Sequence, residues 1–288
     1  MPELPEVEVV KKSLERKITN LAIKGVKIND GNLRYKVNIK QIHKLVGKTI
    51  KKIERRSKFL IFKIEKNLDM LVHLGMTGKF FFINNKNKKI KTSFYYNISK
   101  NDHKHDRIIF FLKEKQKLIY NDIRKFGFIK FIDPRKTNKC LHFKKLGPEP
   151  LSKFYNFNYI KKYILGRKRT IKDILMDQKC VSGLGNIYVN EILFVSGIKP
   201  VRQVNKLKDF ELKKILFNTK KILLKSIKFG GSSIKDFSTD EGKKGKFQQF
   251  FKIYGREGKK CSNTDCNKKV VRIIVSNRST FFCKRCQK

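Results

Sequence analysis

The strongest constraint on this chain sits at its C-terminal end. Four cysteines there follow the pattern Cys261-x4-Cys266, sixteen residues, then Cys283-x2-Cys286. In a reducing compartment such a cluster reads as metal ligands rather than disulfides. Four thiolates complete the tetrahedral shell of Zn²⁺, and a closed four-sulfur site is structural, not catalytic. Residues 268–275 and 279–282 fit a β-hairpin inside the cysteine frame. A ribbon of this size buries too little to fold without its metal. Cys261, Cys266, Cys283 and Cys286 are therefore expected to hold one structural zinc ion. The ribbon's basic residues, Arg272, Arg278, Lys284 and Arg285, are expected to touch phosphate. A ribbon alone specifies no reaction.

Charge narrows the partner. The chain has 288 residues, with 70 Lys+Arg against 24 Asp+Glu, a formal net charge of +46. A polyanion is the expected partner, either nucleic acid or an acidic membrane surface. With 40% hydrophobic residues, 24 Phe and 9 Tyr, the chain is no disordered basic tail. Its length excludes a small basic peptide or a one-module DNA-binding fragment. Abundant Lys, Ile, Asn and Phe without Trp is also the mark of AT-rich coding, so part of the charge is compositional. No apolar run approaches the roughly 20 residues that span a bilayer. The start, MPELPEVEVV, carries Glu3, Glu6 and Glu8 where a signal peptide needs basic and then apolar residues. The expectation is a soluble, cytoplasmic protein with no membrane partner.

Residues 2–17 read as a helix, with Val7, Val10, Leu14 and Ile18 at helical spacing and acids near the positive end of its dipole. From about 23 to 132 the pattern changes to short β-like runs: 59–64, 70–74, 79–83, 107–112 and 126–132. This predicts a mostly β domain built as a sandwich. The stretch Leu146-Gly-Pro-Glu-Pro-Leu151 is the clearest break in the chain. Beyond it, 159–165, 171–178, 186–196 and 208–228 carry helical spacing, interrupted by a turn at Gly183-Leu-Gly-Asn186.

The N-terminus admits two readings. Pro2 favours removal of Met1, which would leave a free secondary amine of pKa near 8. Unprotonated, it can attack an electrophilic sugar carbon and form an iminium, an electron sink for elimination, with Glu3 and Glu6 close by. Alternatively the segment is an ordinary helix start, with proline and acids in the first turn.

The string Met1-Pro-Glu-Leu-Pro-Glu-Val-Glu8 resembles the N-terminus of the bacterial formamidopyrimidine-DNA glycosylase family, also called 8-oxoguanine DNA glycosylases. The resemblance continues in order through Arg55-Arg-Ser-Lys-Phe59, His73-Leu-Gly-Met-Thr-Gly78, Lys104-His-Asp106, Asp122-Ile-Arg-Lys-Phe-Gly127, Leu146–Leu151, Met176-Asp177, Gly183–Tyr188 and Tyr254-Gly-Arg256. It implies an α+β fold: an N-terminal β-sandwich flanked by helices, then a helix–two-turn–helix domain with a four-cysteine zinc β-ribbon. The implied layout is a catalytic domain at 1–134, an interdomain segment at 135–151, the helix–two-turn–helix domain at 152–231, a mobile lesion-recognition loop at 232–249 and the ribbon at 250–288.

The resemblance also implies a reaction. The enzyme would be a bifunctional glycosylase and abasic-site lyase of base-excision repair, working as a monomer on damaged double-stranded DNA. Pro2 would attack C1′ of the damaged nucleotide. Glu3 would be the general acid/base and Glu6 would support the site. Lys58 would serve β-elimination and Arg278 δ-elimination. Met76, Arg124 and Phe126 would fill the space left by the extruded base. His73, His105, Arg124, Lys168, Asn186 and Arg278 would contact the DNA backbone. Departures from the family pattern are the x4 spacing of the first cysteine pair where x2 is usual, Ile123 where proline is common, Lys125 where arginine is usual, and Ser57 where alanine is common. The related endonuclease VIII, which prefers oxidised pyrimidines, is the nearest enzymatic alternative. A non-catalytic binder of DNA or structured RNA is the alternative from another class.

Overall fold

The computed structural model describes residues 1–65, 67–93, 102–135, 140–232 and 247–288. The chain divides into two compact units. One holds residues 1–144 and collects Phe229 to Ser232; the other runs from Lys145 to Lys228 and from Phe247 to Lys288.

The first unit contains, in chain order, α1 (Leu4–Ile18), β1 (Ile23–Ile28), α2 (Ile39–His43), β2 (Ile50–Arg56), β3 (Phe59–Ile64), β4 (Leu68–His73), β5 (Lys79–Ile83), β6 (Lys89–Lys91), β7 (Asp106–Leu112), β8 (Lys117–Asn121), β9 (Phe128–Ile132) and α3 (Leu141–Lys144). Its strands form two antiparallel sheets, ordered β1-β7-β8-β5-β6 and β2-β3-β4-β9. The period of two sorts the side chains. Leu60, Phe62, Met70, Val72 and Ile129 join Phe80, Phe110 and Tyr120 in the main core, together with Val7, Val10, Leu14 and Ile18 of α1. The alternate residues Ile61, Leu71 and Phe128 face the other side of the four-stranded sheet, under Phe59, Ile132 and Phe143. That sheet is covered on both faces, which explains why β3 reads as a continuous apolar run.

Within this unit two places differ from the sequence reading. The last predicted strand begins at Phe128 rather than at 126, because Phe126 lies exposed on the preceding loop. The short helix α2 interrupts a region that reads as β throughout, and α3 falls in the segment expected to join the domains.

The second unit contains α4 (Phe157–Ile164), α5 (Ile171–Met176), α6 (Asn186–Ser196), α7 (Asp209–Lys228), β10 (Val271–Val275) and β11 (Arg278–Phe282). Helix α6 is buried nearly all round and packs against α5, α7 and β11. It stops at Gly197, whose φ of 73° supplies the left-handed C-cap. Between α5 and α6 the chain turns on Gln178, whose amide bonds the Met176 and Leu184 carbonyls and accepts from Gly183 N–H. The Leu146–Leu151 break is held within this unit: Gly147 N–H donates to Gln178 O, and Ser182 N–H to Pro148 O. No helix among the described residues is long and apolar enough to cross a membrane.

Candidate functional site

The first unit gathers charged groups around the chain terminus. Pro2, Glu3 and Glu6 are buried at the start of α1. Glu6 anchors the segment: its Oε2 accepts Glu3 N–H at 2.9 Å, and its Oε1 accepts Ser232 N–H at 2.8 Å and Ser232 Oγ–H at 2.9 Å. Glycine is required at 231, where φ is +79° and an added Cβ would stand 3.1 Å from Glu6 Oε1. Lys58 lies buried on the β2–β3 turn, which Ser57 forms with φ of 56°. Arg55 secures this turn to α1, with Nε donating to Glu8 at 2.7 Å and Nη1 to Ser57 O at 2.8 Å.

These groups share one electrostatic environment. The terminal amine, here that of Met1, is pulled below its ordinary range chiefly by burial. Glu3 and Glu6 push it back up, while Lys58 and Arg124 push it down. Such an amine is less often protonated than an exposed one, which is what a nitrogen nucleophile needs. Removal of Met1 would move the amine to Pro2.

Two loops of the same unit present large exposed side chains. Met76, on the β4–β5 turn, is 41% exposed; Phe126, between β8 and β9, is 44% exposed. The Arg124 guanidinium lies 4.5 Å from the Phe126 ring centroid. Thr77 Oγ accepts Arg124 N–H at 3.0 Å and donates to Asp122. His73 stacks on Phe128 with ring planes 14° apart, and its Nδ1 accepts Gly75 N–H. Burial first, then Lys58, Arg34 and His142, pushes its pKa down to about 4. His73 is thus neutral near pH 7 and can meet a phosphate only as a neutral Nε2–H donor. His105 lies half-buried before β7, with Nδ1 3.4 Å from an Arg107 nitrogen.

In the second unit, Ser276 (φ 48°) and Asn277 (φ 58°) form a two-residue turn that leaves Arg278 exposed at the start of β11. Three residues fasten this tip. Ser276 Oγ donates to Asp173 at 2.7 Å, Lys172 Nζ to Thr280 Oγ1, and Asn186 Nδ2 to Ser279 O at 2.9 Å. Burial, followed by Arg278, lowers the Lys172 pKa to about 8. A cleft of about 500 Å³ beside the tip is lined by Lys145, Arg169, Lys172, Lys179 and Arg278 among others. Lys168 is exposed ahead of α5.

The Sγ atoms of Cys261, Cys266, Cys283 and Cys286 all lie within 4.8 Å of one another. Cys261–Cys286 and Cys266–Cys283 are 3.8 and 3.6 Å apart. A disulfide would need about 2.05 Å. A tetrahedron with metal–sulfur bonds of about 2.3 Å has edges near 3.8 Å, so the donor set fits a tetrahedral thiophilic cation. The wider first knuckle does not prevent the four sulfurs from converging. Buried Glu191 anchors the ribbon's approach by accepting the N–H groups of Lys252, Ile253 and Tyr254 at 2.8–3.0 Å.

A profile of the formamidopyrimidine-DNA glycosylase N-terminal domain matches residues 1–129, and one of that enzyme's H2TH domain matches 146–238. The chain belongs to the formamidopyrimidine-DNA glycosylase family. It is 38% identical to a formamidopyrimidine-DNA glycosylase of Rickettsia bellii over the full length of both, and 37% identical to one of Rickettsia felis, covering 100% of this chain and 98% of that one. Among solved structures it resembles the Lactococcus lactis Fpg bound to DNA containing an abasic site, with TM-score 0.85, 33% identity and 99% of each chain covered. It also resembles a MutM in complex with DNA containing carbocyclic 8-oxo-G, with TM-score 0.85, 34% identity and full coverage of both.

Within this glycosylase fold, apart from the four cysteines, most of the expected residues fall into three groups: the terminal segment with Lys58, the Met76 and Arg124–Phe126 loops, and the ribbon tip with Asn186. His73 on β4, His105 before β7 and Lys168 ahead of α5 come from further elements. The expected lesion loop at 232–249 lies outside the described residues from 233 to 246. Sequence reasoning placed Ser232 only as the first residue of the expected lesion loop and assigned no role to Asp122 or Lys172. Asp122 stood inside a quoted motif, but only its burial and partners reveal its work. Ser232 meets Glu6 across 226 positions, a separation that leaves no local signal.

Proposed function

We infer that this protein is a bifunctional DNA glycosylase and abasic-site lyase of base-excision repair, acting on oxidised purines in duplex DNA: 8-oxoguanine and formamidopyrimidines. The observation that carries this reading is the buried start of α1, where the Met1 amine lies in the field of Glu3, Glu6, Lys58 and Arg124, a place the Pro2 amine would take once Met1 is removed. With Met1 removed, the Pro2 nitrogen attacks C1′ and the damaged base leaves with the bonding electron pair. Glu3 donates and accepts protons as the sugar ring opens to the iminium. The iminium acidifies C2′–H, and loss of that proton expels the 3′ phosphate; Lys58 serves this β-elimination. Arg278 assists the following δ-elimination. Glu6 holds the terminal segment and Ser232 in place.

Met76, Arg124 and Phe126 replace the extruded nucleotide in the stack. His73, His105, Arg124, Lys168, Asn186 and Arg278 engage the backbone, the cations among them by displacing counterions. Residues 1–134 carry Pro2, Glu3 and Lys58, 152–231 and the ribbon, with Arg278 at its tip, grip the duplex, and 135–151 connect them. Zinc is the metal that four convergent thiolates would hold; it supplies fold stability to the ribbon and takes no part in the reaction. The high positive charge opposes self-association and supports a monomer.

Excision from duplexes carrying 8-oxoguanine opposite cytosine, compared with thymine glycol, tests the substrate class. Faster removal of 8-oxoguanine is expected. Faster removal of thymine glycol would assign the chain to endonuclease VIII-like chemistry.

A further inference from the structure

The Met76 turn and the Arg124–Phe126 loop come from different strand pairs, yet one buried carboxylate joins them. Asp122 is fully buried at the end of β8. Its Oδ1 accepts the Thr77 hydroxyl of the Met76 turn. Its Oδ2 accepts Gly127 N–H at 2.8 Å and the Tyr120 hydroxyl at 3.4 Å. Burial and the Asp122 charge push the Tyr120 pKa well up, so that phenol stays a donor. Thr77 completes the relay, because its hydroxyl donates to Asp122 while accepting Arg124 N–H at 3.0 Å. One hydroxyl has one donor and two acceptor sites, so both bonds coexist.

The backbone contacts are equally close. A Cβ on Gly75 would run into the Phe126 carbonyl carbon, and one on Gly127 into Tyr120 Oη. Around the loop's base, Arg107 donates to Asp122 O at 2.8 Å and pairs with Asp30 at 3.0 Å, while Lys125 reaches Asp30 at 2.7 Å. Ile123 lacks the ring that fixes φ in proline. In this chain, side-chain hydrogen bonds must hold the loop's shape.

Resting on the glycosylase reading above, we propose that Asp122, acting through Thr77, is the positioning residue that locks Met76, Arg124 and Phe126 into one rigid wedge for base extrusion. It touches neither substrate nor the reacting atoms. Its contribution is confined to substrates whose base must be displaced from an intact stack.

The test uses the full chain with Thr77→Val, which removes the hydroxyl at constant shape, Thr77→Ser, which keeps it, and Asp122→Asn. Two substrates are compared: duplex 8-oxoguanine opposite cytosine, and single-stranded DNA with an abasic site, which needs no extrusion. Thr77→Val and Asp122→Asn should lose at least about tenfold in single-turnover excision from the duplex. They should keep borohydride trapping on the single strand within about twofold. Thr77→Ser should match the wild type on both. Equal losses on the two substrates, or no loss on the duplex, would overturn the positioning role while leaving the glycosylase reading intact. A wild-type protein inert on both substrates would overturn that reading and the wedge with it.

Discussion

Replacing Glu6 by glutamine removes one charge and reverses one hydrogen-bonding atom at a site exposed by only 2%. The native carboxylate takes at least three donors, two at Oε1 from Ser232 and one at Oε2 from Glu3 N–H. A glutamine oxygen can satisfy one side only, so its NH₂ faces an N–H or O–H. A lost hydrogen bond to a charged group costs about 1.5–3 kcal/mol, and a stranded buried donor adds about 1–3 kcal/mol. Relief from burying the charge returns part of this. A net loss of about 2 kcal/mol follows, and at about 2–4 °C per kcal/mol for a chain of this size, Tm should fall by roughly 4–8 °C. Single-turnover excision should fall with it, because Glu3 and Ser232 both lose their tether. Thermal denaturation followed by near-UV circular dichroism measures the first, and quenched-flow excision the second. A Glu6→Gln protein melting within about 1 °C of the wild type would refute the carboxylate's anchoring role.

Two further perturbations separate parts of the site. Lys58 lowers the pKa of the Met1 amine; with Met1 removed the same charge should act on the Pro2 amine, so Lys58→Met should raise its pKa. Trapping by borohydride needs the neutral amine, and the acid limb of its pH profile should therefore move to higher pH; an unmoved limb would show that Lys58 lies outside the amine's field. Cys283→Ser should abolish bound zinc, measured by atomic absorption, and weaken binding to lesion DNA at least about tenfold, while the first unit's melting transition stays put. Full affinity without metal would rule out a DNA-gripping ribbon.

The sequence displayed much of this architecture because its signals are local. The runs at 59–64 and 79–83 coincide with β3 and β5, since both strands are apolar enough to stand out against loops. Helix α6 occupies the predicted 186–196, bounded by glycines that also serve as its caps. Strand β2 was harder to see. It lies at a sheet edge, and Lys51, Lys52, Arg55 and Arg56 break its apolar pattern, as charges on edge strands do. The predicted helix at 171–178 stops at Met176, because Gln178 bonds backbone groups of the following turn instead of continuing the helix. At the site, the cysteines and the N-terminal string were legible from spacing. The Glu6–Ser232 contact, the Asp122 relay and the neutral state of His73 were not, because each depends on burial created by distant segments.

Every step of the proposed reaction depends on nucleophilic attack by the proline nitrogen, which covalent trapping reads out. Protein with Met1 removed, incubated with abasic-site DNA and sodium borohydride, should yield one stable adduct, with mass spectrometry locating the attached sugar on Pro2. Protein that retains Met1, whose Pro2 nitrogen is an amide without an available lone pair, should give almost none. A full-strength adduct on Lys58 or another lysine, or undiminished trapping with Met1 in place, would rule out Pro2 as the nucleophile.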